Sequence, residues 1–296
     1  MRILITGGTG LIGRSLCQRW LAEGHELYVW SRSPEKVKGL CGEAVHAIGE
    51  LSELDDVKLD AIINLAGAPI ADRPWTQARR KLLRESRIAL TDKLVHWLAG
   101  LEYKPEVLIS GSAVGWYGDG GEQVLTESSP VQTVDFATQL CADWETAALA
   151  AEPLGIRVVL IRTGLVLTSK GGFLSRLMPL FRLGLGGKQG SGQQWMPWVH
   201  LDDEVGLIDH VLHQREAQGP YNACAPEPAR NQDFAKALGK LVNRPAILPA
   251  PGFVLKLMLG EMAGLLLGGQ NIRPERTQEI GFEFKYRDLE SALAAL

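Results

Sequence analysis

Short apolar runs alternate with longer amphipathic runs over the first 165 residues. The apolar runs are rich in β-branched residues and end at glycine or small polar residues, which predicts buried strands of a parallel sheet, whereas apolar positions three and four residues apart predict helices. The predicted strands are Arg2–Thr6, Glu26–Trp30, 44–48, 60–67, 105–112, 156–163 and, later, 220–223. The predicted helices begin at Leu11 and span 75–101, 134–151, 173–183, 231–242 and 288–296. This order predicts an α/β protein.

The first predicted strand leads into a glycine-rich turn and then a helix. Gly8, Gly10 and Gly13 satisfy the spacing G-x-G-x-x-G, and Gly7 with the last two satisfies G-x-x-G-x-x-G. Glycines permit a sharp turn and close approach of a pyrophosphate to the backbone, and the N–H groups that begin the helix face the negative charge. The alternative is a glycine-rich turn in another kind of α/β protein. The predicted dinucleotide contacts are Gly7, Gly10, Leu11, Ile12 and Gly13.

The end of the second predicted strand carries Ser31 and Arg32 and no carboxylate. In dinucleotide-binding folds an acidic residue here bonds the ribose 2′-hydroxyl of NAD, whereas a basic residue accommodates the 2′-phosphate of NADP. The sequence therefore favours NADP(H), with Arg32 at the phosphate and Ser31 as a supporting donor. An exposed arginine in a loop is the alternative.

Two further strand ends carry candidate site residues. Leu65, Ala66 and Gly67 leave room for the adenine or ribose, since ligands of parallel sheets bind outside the carboxyl ends of the strands. In the following helix, Arg87 is a candidate phosphate contact. Ser112 and Tyr117 follow the fifth strand, where a hydroxyl can bond a substrate oxygen and a tyrosine can donate a proton. Serine and glycine also form ordinary loops at such places.

Composition narrows the function classes. A net charge of -3 without a basic cluster gives no reason to expect a nucleic-acid partner. The four cysteines are widely spaced and suggest neither a metal site nor a disulfide framework, and the N-terminus does not resemble a signal peptide, so we expect a cytoplasmic protein with reduced thiols. Residues 253–267 are too short to span a bilayer. They predict a buried or half-buried helix, with a partner-binding face as the lesser alternative.

Residues 184–202 contain a glycine-rich loop followed by a polar cluster. The loop over 184–192 either closes over a ligand or only connects two elements. Asp202 is predicted to be the N-cap of the next helix, and His200 to have a structural role.

Several motifs together resemble those of extended short-chain dehydrogenase/reductases of the nucleotide-sugar epimerase type. They are the Gly7/Gly10/Gly13 turn, 64–67, 112–118, Thr126-Glu127, and 199–203. Arg162-Thr163-Gly164, the loop 184–198, Tyr221-Asn222 and Gly281-Phe282 look more closely like the atypical YfcH-type epimerase family proteins.

The resemblance implies a Rossmann-type, doubly wound parallel sheet in an NADP-binding domain over 1–165. It also implies a smaller C-terminal α+β substrate domain over 166–296, with segments around 198–215 returning to the first domain. The dinucleotide would lie between the two, in contact with Gly164 and Leu165, and Ser112 matches the catalytic serine. The implied chemistry is hydride transfer to or from a small-molecule substrate, a nucleotide sugar in the related epimerases.

The sequence departs from this family at the proton-transferring pair, a tyrosine followed four residues later by a lysine. Phe136 and Leu140 stand at the expected positions, and neither can donate a proton or shift a neighbour's pKa. Two interpretations follow. The protein is an oxidoreductase or isomerase in which Tyr117 transfers the proton beside Ser112, or it is a non-catalytic NADP(H)-binding redox sensor.

Overall fold

The computed structural model describes residues 1–296, which form thirteen strands and twelve helices. The strands are β1 Arg2–Thr6, β2 Glu26–Trp30, β3 His46–Ile48, β4 Ala61–Asn64, β5 Val107–Ala113, β6 Val124–Leu125, β7 Arg157–Thr163, β8 Leu165–Leu167, β9 Trp195–Met196, β10 Trp198–His200, β11 Gly219–Ala223, β12 Ala229–Arg230 and β13 Asn271–Ile272. The helices are α1 Leu11–Ala22, α2 Val37–Cys41, α3 Gln77–Arg84, α4 Leu90–Gly100, α5 Phe136–Leu149, α6 Gly172–Arg182, α7 Leu201–His213, α8 Asn231–Leu241, α9 Gly252–Leu259, α10 Gly264–Leu267, α11 Glu275–Glu279 and α12 Leu289–Ala294.

Seven parallel strands form the main sheet in the order β11-β7-β5-β4-β1-β2-β3. The strand order reverses beside β1, the position at which doubly wound sheets bind dinucleotides. The pairing places Thr6 and Asn64, the last residues of β1 and β4, in register with Ser110 in the middle of β5. Thr6 Oγ1 donates to Asn64 Oδ1 at 2.8 Å, and Asn64 Nδ2 donates to Ser110 Oγ at 3.1 Å. These buried bonds fix the strand ends relative to one another.

Helices cover both faces of the sheet, because its strands are apolar on both sides. On one face, α1, α2 and α7 pack through side chains such as Leu16, Trp20 and Ile208. On the other face, α4 and α5 pack through Leu98 and Ala148 among others. The predicted Rossmann-type α/β fold is confirmed.

The second half of the chain builds a smaller α+β part around its own core. That core joins α6, α8 and α12 to short strand pairs, with Trp198 and Phe234 fully or almost fully buried. However, α7 packs on the main sheet, and β11 pairs with β7 to form its outer strand. The segment that returns to the main sheet therefore extends to Ala223, beyond the expected 198–215.

Two predicted helices differ from those observed. The helix predicted over 75–101 is interrupted by a turn of π-helix, Glu85–Ala89, between α3 and α4. The buried or half-buried helix predicted over 253–267 is not continuous: the segment forms α9, a 3₁₀ turn Gly260–Ala263 and α10. Phe253 and Leu257 are 74% and 85% exposed, because one face of α9 has no neighbouring element. No helix is long and apolar enough to cross a membrane.

Candidate dinucleotide and active site

The glycines of the turn between β1 and α1 differ in how closely other atoms approach them. Gly7 has a φ of 70°, and a Cβ there would lie 2.6 Å from the Leu65 carbonyl carbon. A Cβ at Gly13 would lie 2.5 Å from the Gly7 oxygen, so this glycine permits close packing of α1. At Gly10 the only atom near a Cβ would be the Gly7 oxygen, at 3.1 Å. The turn is thus crowded at Gly7, Gly8 and Gly13 and least crowded at Gly10.

The least crowded position coincides with the uncapped N-terminus of α1. Gly10 is the N-cap residue, and no side chain accepts a hydrogen bond from the first turn, which includes Leu11 and Ile12. The first N–H groups of a helix lack intrahelical partners and carry the positive end of the helix dipole. This arrangement fits the pyrophosphate of a dinucleotide.

The end of β2 presents the residues predicted to select the cofactor. The backbone N–H of Ser33 donates to Ser31 Oγ at 3.1 Å, which shapes the turn. Arg32 is exposed and forms no ion pair or hydrogen bond within the protein. Its guanidinium is therefore available to a ligand at this edge of the sheet.

Arg87 lies across the segment that follows β4. It belongs to the π-helical turn, and Ser86 of the same turn accepts a hydrogen bond from the N–H of Ala68 at 3.0 Å. A Cβ at Gly67 would lie 2.9 Å from Arg87 Cζ, so only glycine leaves room for the guanidinium. The guanidinium also lies over the Trp144 ring, 5.2 Å from its centroid.

No carboxylate compensates the charge of Arg87. Its one hydrogen bond is to the Leu83 carbonyl oxygen at 3.4 Å, and burial lowers its pKa. A half-buried cation without an anionic partner is costly unless something else neutralises it. π-Helical turns are frequent at functional sites. Together these features indicate an anion-binding position beside Leu65, Ala66 and Gly67.

Ser112 belongs to a buried polar network at the end of β5. Its hydroxyl donates to Glu145 Oε1 at 2.7 Å. Arg162, from β7, donates to both oxygens of the same carboxylate at 2.9 Å and stacks on the Trp116 ring at 3.6 Å from its centroid. Ser112 therefore has its proton committed to Glu145, and its lone pairs remain free to accept a hydrogen bond.

Tyr117 lies at the other end of this network. Its side chain is 0% exposed, its hydroxyl donates to Asn222 Oδ1 at 2.7 Å, and it accepts from Arg162 Nη1 at 3.0 Å. Burial raises the pKa of Tyr117 to about 12. A proton donor to substrate needs access to the cleft. The structure places Tyr117 in the protein interior, which does not support the expected role in proton transfer.

The position of the family's tyrosine and lysine is occupied by an apolar contact. Phe136 packs edge-on against Trp75 with ring centroids 5.0 Å apart, and Leu140 is buried in the same cluster. Asp135, the N-cap residue of α5, accepts a hydrogen bond from the N–H of Thr138. Phe136 and Leu140 pack in this apolar cluster and offer no titratable group for proton transfer.

Comparison with known proteins is consistent with this geometry. Residues 3–224 match the model of the NAD dependent epimerase/dehydratase family, and residues 250–296 match a domain of unknown function, DUF1731. The chain belongs to the NAD-dependent epimerase/dehydratase family. The epimerase family protein SDR39U1 homolog of Arabidopsis thaliana, described as chloroplastic, is 40% identical over 303 residues, covering 100% of this chain and 86% of the relative. The predicted resemblance to epimerase family proteins is confirmed.

Two solved structures of this epimerase/dehydratase fold are similar to this chain. Human epimerase family protein SDR39U1 (isoform 2), crystallised with NADPH, has a TM-score of 0.89 and 33% identity, covering 100% of this chain and 98% of that chain. UDP-glucuronic acid 4-epimerase from Bacillus cereus, in complex with UDP-glucuronic acid and NAD, has a TM-score of 0.80 at 17% identity, covering 100% and 97%. The second similarity concerns the fold alone.

The polar cluster 199–203 attaches the C-terminal segment of this family member to α7. His200, not Asp202, is the N-cap: its Nδ1 accepts from the N–H of Asp202 at 3.1 Å, so the prediction for Asp202 is wrong. Asp203 accepts from the backbone N–H groups of Lys285 and Tyr286 at 2.8 and 3.0 Å. The structural role expected for His200 is confirmed.

Gly164 and Leu165 lie where β7 leaves the main sheet. The N–H of Gly164 donates to the Ala223 oxygen at 2.9 Å, and that of Leu165 to the Pro197 oxygen at 2.8 Å. A Cβ at Gly164 would lie 2.8 Å from the Pro197 oxygen, so close packing of backbones explains this glycine. Their predicted contact with a dinucleotide stays a prediction.

Sequence reasoning assigned no role to three buried charged residues, Glu145, Arg162 and Glu204, although Arg162 stood in a motif of the family resemblance. A signal existed for Arg162, because a charge inside the apolar strand predicted over 156–163 requires a buried partner. Glu204 lies on α7 with one oxygen accepting from Thr163 Oγ1 at 2.8 Å and the other without a partner, and burial raises its pKa to about 8. It is consequently held in its protonated form near neutral pH.

Proposed function

We propose that the protein is an NADP(H)-dependent oxidoreductase that transfers a hydride between the cofactor and a small molecule. The observation that carries this proposal is the uncompensated guanidinium of Arg87 beside Gly67, together with the uncapped glycine-rich turn. Both features provide positive charge or N–H donors at the switch point of the sheet, where dinucleotides bind. The human relative crystallised with NADPH supports the same cofactor.

Arg32 supports NADP(H) over NAD(H). Its exposed, unpaired guanidinium follows β2, and no carboxylate stands there to bond a ribose 2′-hydroxyl. Arginine recognises phosphate by paired hydrogen bonds as well as by charge. We assign the 2′-phosphate to Arg32 and the pyrophosphate to the glycine-rich turn, with Arg87 as a further phosphate contact.

The chemistry proposed for the chain's own residues starts at Ser112. When bound, NADP(H) supplies or accepts the hydride at nicotinamide C4. The Ser112 hydroxyl, which donates to Glu145, uses its free lone pairs to accept a hydrogen bond from a substrate hydroxyl and orients it at the cofactor. Arg162 holds the Glu145 carboxylate in place through two hydrogen bonds. Ser112 thereby positions the substrate where the family's tyrosine and lysine are absent.

A second candidate function is a non-catalytic NADP(H)-binding redox sensor. The observations that favour it are the burial of Tyr117 and the apolar contact of Phe136 where family members carry the proton-transferring pair. In that case the dinucleotide site would be retained while no hydride moves.

Two measurements test cofactor binding and separate the candidates. The Kd of NADPH is measured for the wild type, Arg87→Gln and Arg84→Gln; Arg84, an exposed neighbour paired with Asp143, is the matched control. Arg87→Gln should weaken binding about tenfold to hundredfold, as expected for losing a hydrogen bond to a charged group. Equal affinities for all three proteins would contradict the assignment.

C4-deuterated NADPH is then incubated with the protein and a metabolite extract. Transfer of deuterium, absent with heat-denatured protein, supports the oxidoreductase and labels its product. Tight NADPH binding with no transfer supports the sensor.

A further inference from the structure

The smaller part of the molecule contains a cavity of about 90 Å³ between α6, α8 and the segments 185–189 and 248–250. Fourteen residues line it, and ten of them are hydrophobic, including Phe173, Leu177 and Phe234. No lysine or arginine is among them. Its walls therefore suit an apolar group and not a phosphate.

The Asn231 side chain in the wall is already bonded within the protein. Asn231 Oδ1 accepts from the backbone N–H of Gln189 at 2.7 Å, and Asn231 Nδ2 lies 3.2 Å from Met196 Sδ. These bonds attach the glycine-rich loop to the start of α8. A nucleotide diphosphate is recognised chiefly by cationic side chains, and the wall supplies none.

The cavity opens through an apolar rim. Leu180, Leu185 and Leu248 line it and are also 48%, 52% and 48% exposed. Clustered exposed leucines are unusual on a protein surface and mark binding sites for apolar groups. The rim lies on α6 and on the two segments that flank the opening, so a ligand can enter there.

Helix α6 connects the cavity to the dinucleotide site. A Cβ at Gly172, its first residue, would lie 3.4 Å from Leu11 Cδ2, and Leu11 is the first residue of α1 after the glycine-rich turn. The next residue, Phe173, lines the cavity. One helical turn further, Arg176 Nη1 donates to the Ala71 oxygen at 2.6 Å, which fixes α6 against the segment following β4. The first two residues of α6 thus face the start of α1 and the cavity, respectively.

We infer that this cavity binds the apolar part of the substrate: a short alkyl chain attached to the alcohol or carbonyl carbon that exchanges the hydride. The inference rests on the proposed function and names its substrate class. The cavity is smaller than the engineered cavity of about 150 Å³ that binds benzene. It accommodates a short chain, and the polar end of the substrate remains outside it, toward the cofactor.

The inference is tested by calorimetric titration of 1-hexanol and UDP-glucose into the full-length protein, with and without NADP⁺. Ala235→Leu fills the cavity from its α8 wall, and Ala237→Leu adds the same atoms to the same helix outside it. 1-Hexanol should bind the wild type and Ala237→Leu. Ala235→Leu should bind it about tenfold more weakly, as expected from losing the burial of about two methylene groups, with NADPH affinity unchanged.

A second variant keeps the inference testable if Ala235→Leu fails to fold. Leu177→Ala enlarges the cavity and should shift the preference from 1-hexanol to 1-octanol. Absence of alcohol binding, or equal weakening by Ala235→Leu and Ala237→Leu, would overturn the inference, as would UDP-glucose binding that Ala235→Leu blocks. Failure of NADPH to bind would instead refute the proposed function, and the titrations without cofactor would still decide the cavity's ligand.

Discussion

Glu204→Gln should change the stability of the protein in a strongly pH-dependent way. The Glu204 carboxyl is fully buried on α7, with Oε1 accepting from Thr163 and Oε2 without a partner. Burial disfavours the charged form and raises the pKa from 4.5 to about 8 in the folded protein. In the unfolded chain the same group titrates near its ordinary value.

The sign and size of the change in stability with pH follow from this difference between the folded and unfolded pKa values. A group whose pKa is raised by folding stabilises the native state below the unfolded pKa, and this contribution is lost as pH rises through the folded value. Between 4.5 and about 8 the wild type therefore loses about 1.4 kcal/mol per pH unit from Glu204, or about 5 kcal/mol in all. Glutamine does not titrate, so the variant is free of this loss.

The assay is urea unfolding of both proteins at about pH 5.5, 6.5 and 7.5, with the free energy of unfolding extrapolated to water. The variant's stability relative to wild type should improve by about 3 kcal/mol from the lowest to the highest pH. Glu204→Met is the matched control. The unpaired amide of glutamine changes the free energy of unfolding by the same amount at every pH, so both variants should show the same dependence of stability on pH. A difference that stays constant with pH would refute the buried, protonated carboxyl.

Four further outcomes are expected. Arg32→Ala should weaken NADPH about tenfold to hundredfold and leave NADH nearly unchanged, since only the former carries the 2′-phosphate; equal weakening in direct binding assays would remove the cofactor assignment. Gly10→Val should retain the fold by circular dichroism but lose NADPH binding, because its side chain would fill the open middle of the turn, and unchanged affinity would contradict the site. Tyr117→Phe should lower the unfolding free energy by about 1–3 kcal/mol by unpairing its buried partners, with hydride transfer retained; abolished transfer at full stability would restore its catalytic role. Glu145→Gln should cost about 3–5 kcal/mol, because Arg162 is left buried without its carboxylate, whereas unaltered urea unfolding would show that the pair is not buried in solution.

Local patterns predicted the main sheet well, because each strand was recognisable on its own. Arg2–Thr6 and Glu26–Trp30 have the predicted bounds, and the glycines that follow the first strand show the steric constraints expected of a dinucleotide turn. The predicted N-cap of α7 was wrong. The usual rule favours a carboxylate or hydroxyl and pointed to Asp202, whereas His200 caps the helix with a ring nitrogen.

Features that depend on distant partners were not predictable. Nothing near Arg162 in the sequence predicts that it pairs with Glu145, because Glu145 lies on a different element of the fold. Tyr117 follows Ser112 by only five residues, yet the 3₁₀ turn Val114–Tyr117 directs it into the interior, where its hydroxyl donates a hydrogen bond to Asn222 of β11. The exposure of α9 likewise depends on which elements surround it, and not on its own composition.

The attachment of the C-terminal segment bears on the order in which the protein folds during synthesis. The Asp119 carboxylate accepts from the N–H of Gly269, 150 residues later, and β6 pairs with β13. Glu127 likewise accepts from the N–H of Arg276 at 3.3 Å, at the start of α11. Chains emerge from the ribosome N-terminus first. Residues 119–127 can therefore form these contacts only after residues 269–276 have been synthesised.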